Sequence, residues 1–205
     1  IMLPKACGGR DVAHLGTKIA VREAECDLPD GGTRIIAIGL ETGRSFFQMA
    51  SFEGASHRLA GLTWGAEDLA ADIGASANRD AEGGFTSPFR LAREITLFAA
   101  AAAEIAAIDT VYVDFRNEAG LRAECEAARR DGFSGKLAIH PAQVAVINDV
   151  FPPSAAEIAR ARAIIEAFAA NPEAGVLNIN GKMTDQPHLK QARRLMARAV
   201  AAGVA

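Results

Sequence analysis

Glu41 and Asp68 stand where this sequence is best prepared to do chemistry. Glu41 closes the apolar run Ile35–Leu40, and a second run, Leu59–Trp64, passes through Gly65 into Ala66-Glu67-Asp68-Leu69-Ala70-Ala71-Asp72-Ile73-Gly74. An apolar run that stops at a Gly turn and then opens a helix with acids puts carboxylates at strand C-termini, where α/β proteins bind their ligands. Two acids at the ends of consecutive buried strands suit a shared metal. A hard cation takes carboxylate oxygens and fills its other positions with water or ligand oxygens. Plainer roles stand beside these: Glu41 as the partner of a neighbouring arginine, and Asp68 as a helix-opening acid favoured by the macrodipole. Glu67 and Asp72 read as a helix-start charge and a loop-bonding acid.

Further polar residues sit at other run ends. Lys5 follows Ile1–Pro4 and can face a phosphate or carboxylate there, or snorkel at the surface. Arg44, just beyond Glu41-Thr42-Gly43, would meet a ligand carboxylate if the strand's end turns inward. His140 ends Lys136–His140, as a substrate contact or as a neutral hydrogen-bonded histidine. His14, His57 and His188 lack metal-ligand spacing and read as surface residues.

The elements that must position these residues alternate. Strands are expected at Ile1–Pro4, Thr33–Glu41, Leu59–Trp64, Thr110–Phe115 and Lys136–His140, all nearly continuous apolar runs, as in strands buried on both faces. Helical spacing marks Arg10–Ala24, Ser45–Ala50, Ser87–Ile108, Glu118–Asp131, Ser154–Ala170 and Gln186–Ala202, with Ser154 and Glu157 spaced as a capping box. This βα repetition predicts a parallel sheet with right-handed crossovers. The loop Ala75–Phe85 is long and follows the Asp68 turn, as loops serving a site often do.

Composition narrows the classes. The chain has 205 residues, half of them hydrophobic, and a net charge of −3 with scattered Lys and Arg, so neither disorder nor a nucleic-acid footprint is indicated. Three cysteines without CxxC spacing argue for a reducing compartment, and the expected location is cytoplasmic. The sequence contains no GxGxxG, GxxxxGK[ST] or GxSxG, which leaves nicotinamide, ATP and serine-hydrolase chemistry unsupported.

Five segments carry a family resemblance: LPKA at Leu3–Ala6, the strand ending in Glu41-Thr42, LTWGAEDLAADIG at Leu62–Gly74, GFSGKLAIHPAQV at Gly132–Val144 and NGKMTDQP at Asn180–Pro187. In this order and spacing they resemble the citrate lyase β-subunit and malyl-CoA lyase branch of the HpcH/HpaI aldolase superfamily, from Ile1 to about Ala199. The resemblance implies a TIM (β/α)₈ barrel assembled as a trimer or hexamer. It implies Mg²⁺ as cofactor, a CoA thioester as substrate, and cleavage or formation of the carbon–carbon bond beside that thioester. In its frame Ile1 falls on the fourth barrel strand. Residues 1–150 are then the C-terminal part of the barrel, strands four to eight, and residues 151–205 a helical extension; the first three βα units, with an arginine and an acidic segment, are expected to be missing. The resemblance also makes Asp185, in Gly181-Lys182-Met183-Thr184-Asp185, the catalytic acid that reaches a neighbouring subunit's site and handles the enolate proton. Asp185 equally fits the N-cap of the last helix, with Pro187 in the first turn. Asn117 stands where relatives carry an acid. A Mg²⁺-dependent lyase producing acetyl-CoA and a 2-oxo acid is the leading expectation; a thioesterase on the same scaffold and a non-catalytic lyase-like subunit are the alternatives.

Overall fold

Every strand of the main sheet ends on the same side, because the five are parallel. The computed structural model describes residues Ile1–Ala205 and divides into two compact units, Ile1–Ile147 and Asn148–Ala205. In the first unit the elements run β1 (Met2–Leu3), α1 (Gly9–Glu25), β2 (Ile35–Leu40), α2 (Gly43–Phe46), a 3₁₀ turn (Met49–Phe52), β3 (Leu59–Trp64), α3 (Ala66–Ile73), α4 (Ser87–Ala102), β4 (Ala106–Asp109), α5 (Glu118–Asp131), β5 (Gly135–Lys136) and most of α6 (Pro141–Val150). The sheet order is β1-β2-β3-β4-β5. Ala37 of β2 lies beside Leu62 of β3, and Leu62 beside Ala107 of β4. Sequential parallel neighbours joined by helices give an α/β fold, as the alternation of runs predicts.

Burial explains most of the apolar strand residues, though β2 is not buried on both faces as expected: Ile36 and Ile38 are only half-buried. Ile35, Ala37, Leu40, Leu62 and Trp64 are fully buried, and helices add Val12, Phe89 and Ala100 to the same core. Removing a Leu, Ile or Phe side chain from water contributes about 1.5–3 kcal/mol each. No helix is long and apolar enough to cross a membrane.

The fourth strand is Ala106–Asp109, not Thr110–Phe115, and α4 stops at Ala102 rather than Ile108. The β-branched, aromatic run Thr110–Val113 mimics a strand, while the alanines before Glu104 keep helical spacing past the true end. Glu104 takes a left-handed φ of 55°, which stops the helix. Pairing with β3 then recruits residues without strong β preference, a tertiary effect that overrides propensity. The fifth strand is likewise shorter, ending at Lys136. The expected helix Ser45–Ala50 resolves into α2 and the 3₁₀ turn.

The second unit is not purely helical. It holds α7 (Ala155–Ala170), an antiparallel hairpin of β6 (Val176–Ile179) and β7 (Lys182–Asp185), and α8 (Gln186–Ala201). Asn180 and Gly181 connect the two strands with φ of 51° and 77°, the doubly positive pattern of an Asn-Gly hairpin turn. Ser154 caps α7 through the expected box: its hydroxyl accepts from the Glu157 amide, and Glu157 accepts from the Ser154 amide.

One charged cluster lies before β2 and β3. Arg58, almost fully buried, pairs with buried Glu23 at 2.7 Å and with Asp30, and Glu23 also accepts from the Thr33 and Gly31 amides. The Arg58 bond, chiefly, draws the Glu23 carboxyl down from 4.5 to about 2. A lowered folded value contributes stability that is complete above 4.5 and fades as pH falls towards 2. Glu23→Gln is therefore expected to flatten the acid side of the stability curve, read as a smaller change in urea midpoint between pH 5 and pH 2.5 than the wild type shows.

Candidate active site

The ends of β1, β2 and β3 bring Lys5, Glu41 and Asp68 together. Thr42 caps α2, its hydroxyl accepting from the Ser45 amide at 3.1 Å, so the chain turns immediately after Glu41. The Asp72 carboxylate braces this turn by accepting from the Gly43 amide at 2.8 Å. Gly65 gives the room: a Cβ there would stand 2.9 Å from Glu41 Cγ and 3.0 Å from Oε1. Asp68 occupies the first turn of α3, which ends in Gly74 at a left-handed φ of 71°.

Lys5 touches both acids. Its amide donates to Glu41 Oε2 at 2.5 Å, and its ammonium pairs with Asp68. Lys5 has a φ of 52°, a region that L side chains avoid, and its amide is held on Glu41 in this conformation. Burial pushes the Glu41 carboxyl above its ordinary value, with the charge of Asp68 adding to the rise against the Lys5 amide. The Lys5 hydrogen bond holds Asp68 below its ordinary value and raises Lys5 in return.

The donor set fits a hard divalent ion: two carboxylates from different strand ends, one buried and one exposed. No group of three or more His, Cys, Asp or Glu side chains is placed to hold a metal ion together. Mg²⁺ needs no such cage, since it keeps several waters beside one or two carboxylates.

The remaining expected residues are spread more widely. Arg44 lies exposed on α2, three residues after Glu41. His140 is exposed and stacks on Phe115, with ring centroids 4.5 Å apart and planes at 17°. Its Nδ1 accepts from the Ala142 amide at 3.2 Å. Asn117 caps α5, accepting from the Gly120 amide at 2.9 Å. Asp185 belongs to the second unit, at the end of β7 and the start of α8. His188 Nδ1 lies 2.5 Å from its carboxylate, and that contact lowers the Asp185 pKa.

Sequence reading missed a buried network beside this cluster. Asp109, fully buried at the end of β4, accepts from Trp64 Nε1 at 3.0 Å and from Arg93 Nε at 3.1 Å. Lys136 at the end of β5 lies 3.4 Å from Asp109 and 2.7 Å from Glu124. Arg79 also pairs with Glu124, at 2.8 Å, and covers the Phe85 ring. Burial alone would raise Asp109, but the charges of Lys136 and Arg93 overcome it and the net shift is downward. Trp64 is thus fixed one residue before Gly65, and this anchors the turn that carries Asp68. The available signal was Asp109 at the end of an apolar stretch, obscured by the misplaced fourth strand.

Known proteins frame this geometry. Residues 1–141 match the family model HpcH/HpaI aldolase/citrate lyase. The chain is 34% identical over 206 residues to citrate lyase subunit beta of Escherichia coli K12, covering 100% of this chain and 66% of that protein. It is 40% identical over 208 residues to a (3S)-malyl-CoA thioesterase of Cereibacter sphaeroides, covering 98% and 65%. The chain thus spans about two thirds of the length of these relatives. A crystal structure of CitE from Mycobacterium tuberculosis in complex with magnesium, acetoacetate and coenzyme A is similar at a TM-score of 0.72 and 32% identity, over 97% of this chain and 67% of that one. With the family model covering more than half of its residues, the chain belongs to the HpcH/HpaI aldolase/citrate lyase family.

Proposed function

We propose that this protein is a Mg²⁺-dependent carbon–carbon lyase that cleaves a 3-hydroxyacyl-CoA, of the citryl-, malyl- or citramalyl-CoA kind, to acetyl-CoA and a 2-oxo acid. The observation that carries this reading is the convergence of Glu41 and Asp68 at adjoining strand ends under Lys5. Support comes from the magnesium, acetoacetate and coenzyme A bound by the similar CitE. In the proposed enzyme the sheet supplies strands four to eight of a TIM barrel.

Glu41 and Asp68 would hold the ion, which when bound supplies Lewis-acid polarisation of a carbonyl oxygen and a template for the oxo acid. The protein's own groups do the rest. The Lys5 amide keeps the buried Glu41 carboxylate aimed. Asp72 and the Thr42 cap fix the turn that presents Arg44, whose guanidinium is suited to bidentate binding of a substrate carboxylate. His140 and the Phe115 ring it stacks on offer a flat, partly apolar surface to the CoA portion. Cleavage releases the 3-hydroxyl proton and the enolate α-carbon takes one up; Asp185, in its protonated form, would deliver the latter.

A second reading is favoured by the 40% identity to a malyl-CoA thioesterase. There Glu41 and Asp68 would hold the same ion, which would supply polarisation of the thioester carbonyl, with water as the nucleophile. Incubating the purified protein with citryl-, malyl- and citramalyl-CoA and Mg²⁺ separates the two. A 2-oxo acid with acetyl-CoA is the expected product; free CoA with the intact hydroxy acid would replace the lyase by the thioesterase.

The assembly is part of the proposal: a homotrimer or hexamer in which Asp185 serves the Glu41/Asp68 site of an adjacent subunit. Asp185→Asn keeps a capping side chain, so its loss of activity is expected to report chemistry. Mixing Asp185→Asn with Asp68→Asn chains in exchanged oligomers should return activity from near zero to about a quarter of the wild type, because about one interface in four is intact in a symmetric assembly. No recovery, or a fully active monomer, ends the idea.

A further inference from the structure

Lys5 engages the two acids through different parts of itself. Its backbone amide serves Glu41 and its side-chain ammonium serves Asp68. We propose that the Lys5 ammonium is a built-in counter-cation of the Glu41/Asp68 pair, one that a divalent ion must displace, so that Lys5 sets the metal affinity of the site without entering its coordination shell. This inference rests on the reading of Glu41 and Asp68 as metal ligands.

The geometry supports it on three counts. First, a protonated lysine has three donors and no lone pair, so it cannot ligate a cation and instead competes for the carboxylate oxygens a cation needs. Its Nζ is on Asp68 Oδ1, one of only two protein carboxylates available. Second, the other neighbouring groups are committed elsewhere: Asp72 accepts from the Gly43 amide and Glu67 from Asn78. No other cationic side chain bonds to either acid, so Lys5 is their counter-charge. Third, the Lys5 side chain is 65% exposed and Asp68 48% exposed. Such an ammonium can swing into water at small cost, which makes it a displaceable occupant and not a permanent block. Glu41, by contrast, is buried and held by a main-chain donor that no side-chain change removes. The backbone at Lys5, with its positive φ, keeps that donor on Glu41 while the side chain comes and goes.

The physical consequence is a tuned, weakened site. Two converging carboxylates with no cation would repel each other and bind any divalent ion more tightly. The tethered ammonium relieves that repulsion in the unloaded protein, and a metal must pay for its release. Once displaced, the ammonium stays tethered beside the site, where an anionic ligand would meet it.

Isothermal titration of Mg²⁺ alone into the wild type, Lys5→Met, Lys5→Arg and Asp68→Asn tests this, with far-UV circular dichroism to confirm folding. Lys5→Met removes the charge but leaves the residue 5 amide, and it should bind Mg²⁺ about fivefold more tightly. Lys5→Arg keeps the charge and should stay within about twofold of the wild type. Lys5→Gln runs beside Lys5→Met, so that poor folding of one neutral variant leaves the other to decide. Equal or weaker Mg²⁺ binding by the neutral variants overturns the inference. If at the same time Asp68→Asn abolishes binding, the metal-site reading stands and only the role of Lys5 falls. Absence of Mg²⁺ binding by the wild type overturns both.

Discussion

Glu41→Gln and Asp68→Asn are each expected to lower Mg²⁺-dependent turnover by roughly 10³-fold or more, because a Lewis-acid metal contributes several kcal/mol to the barrier and each 1.36 kcal/mol is about tenfold. Both substitutions keep side-chain volume and remove one charged ligand. Stability should hardly move for Asp68→Asn, since the Lys5–Asp68 pair is exposed and such pairs contribute little. Glu41→Gln perturbs a buried position, but an amide oxygen still accepts from the Lys5 amide. The loss should therefore appear in kcat and in the Mg²⁺ titration, with thermal unfolding nearly unchanged. Wild-type turnover in either variant refutes the ligand assignment.

Asp109→Ala should produce the largest change in stability. Removing that carboxylate leaves Arg93 and Lys136 facing a hole where their shared partner stood, and it orphans Trp64 Nε1. Breaking a buried ion pair by deleting one partner costs about 3–5 kcal/mol. Asp109→Asn should cost less, because its amide oxygen can still accept from Trp64 while Glu124 and Asp131 hold the two cations. Urea unfolding at pH 7 measures both. The pH dependence has a fixed sign: Asp109 lies below its ordinary 3.8 in the folded protein, so its contribution is complete above that value and fades as pH falls through the lower folded value. Asp109→Ala should accordingly lose less on acidification than the wild type. A variant as stable as the parent at pH 7 would show that the network contributes nothing.

The two effects are linked through Trp64, whose indole is pinned by Asp109 and whose neighbour Gly65 makes room for Glu41. A destabilised Asp109 variant that still folds at low temperature should also bind Mg²⁺ more weakly, a positional effect transmitted along one turn.

The order of apolar runs and turns by itself determined the class of fold. Ile35–Leu40 and Leu59–Trp64 stood out as continuous apolar runs, although Ile36 and Ile38 are only half-buried, and parallel pairing followed from the helices between them. Helices with strong local signals were equally legible: Glu118–Asp131 matched at both ends, and Ser154 with Glu157 marked the start of α7. Glu41 and Asp68 were legible because strand ends are where backbone geometry brings ligand-binding groups to one edge. The Asn180-Gly181 hairpin was also written in the sequence, but a helical reading of the extension passed over it.

Tertiary structure decided what local pattern could not. Ala106–Asp109 is a strand only because β3 and β5 flank it, and no propensity distinguishes its alanines from the helix before them. Asp109, Lys136, Arg93 and Trp64 are far apart in the chain, and their meeting depends on strand register and on burial that makes unpaired charges costly. The positive φ of Lys5, found together with its amide on Glu41 and its ammonium on Asp68, joins three strand ends that are far apart in the sequence.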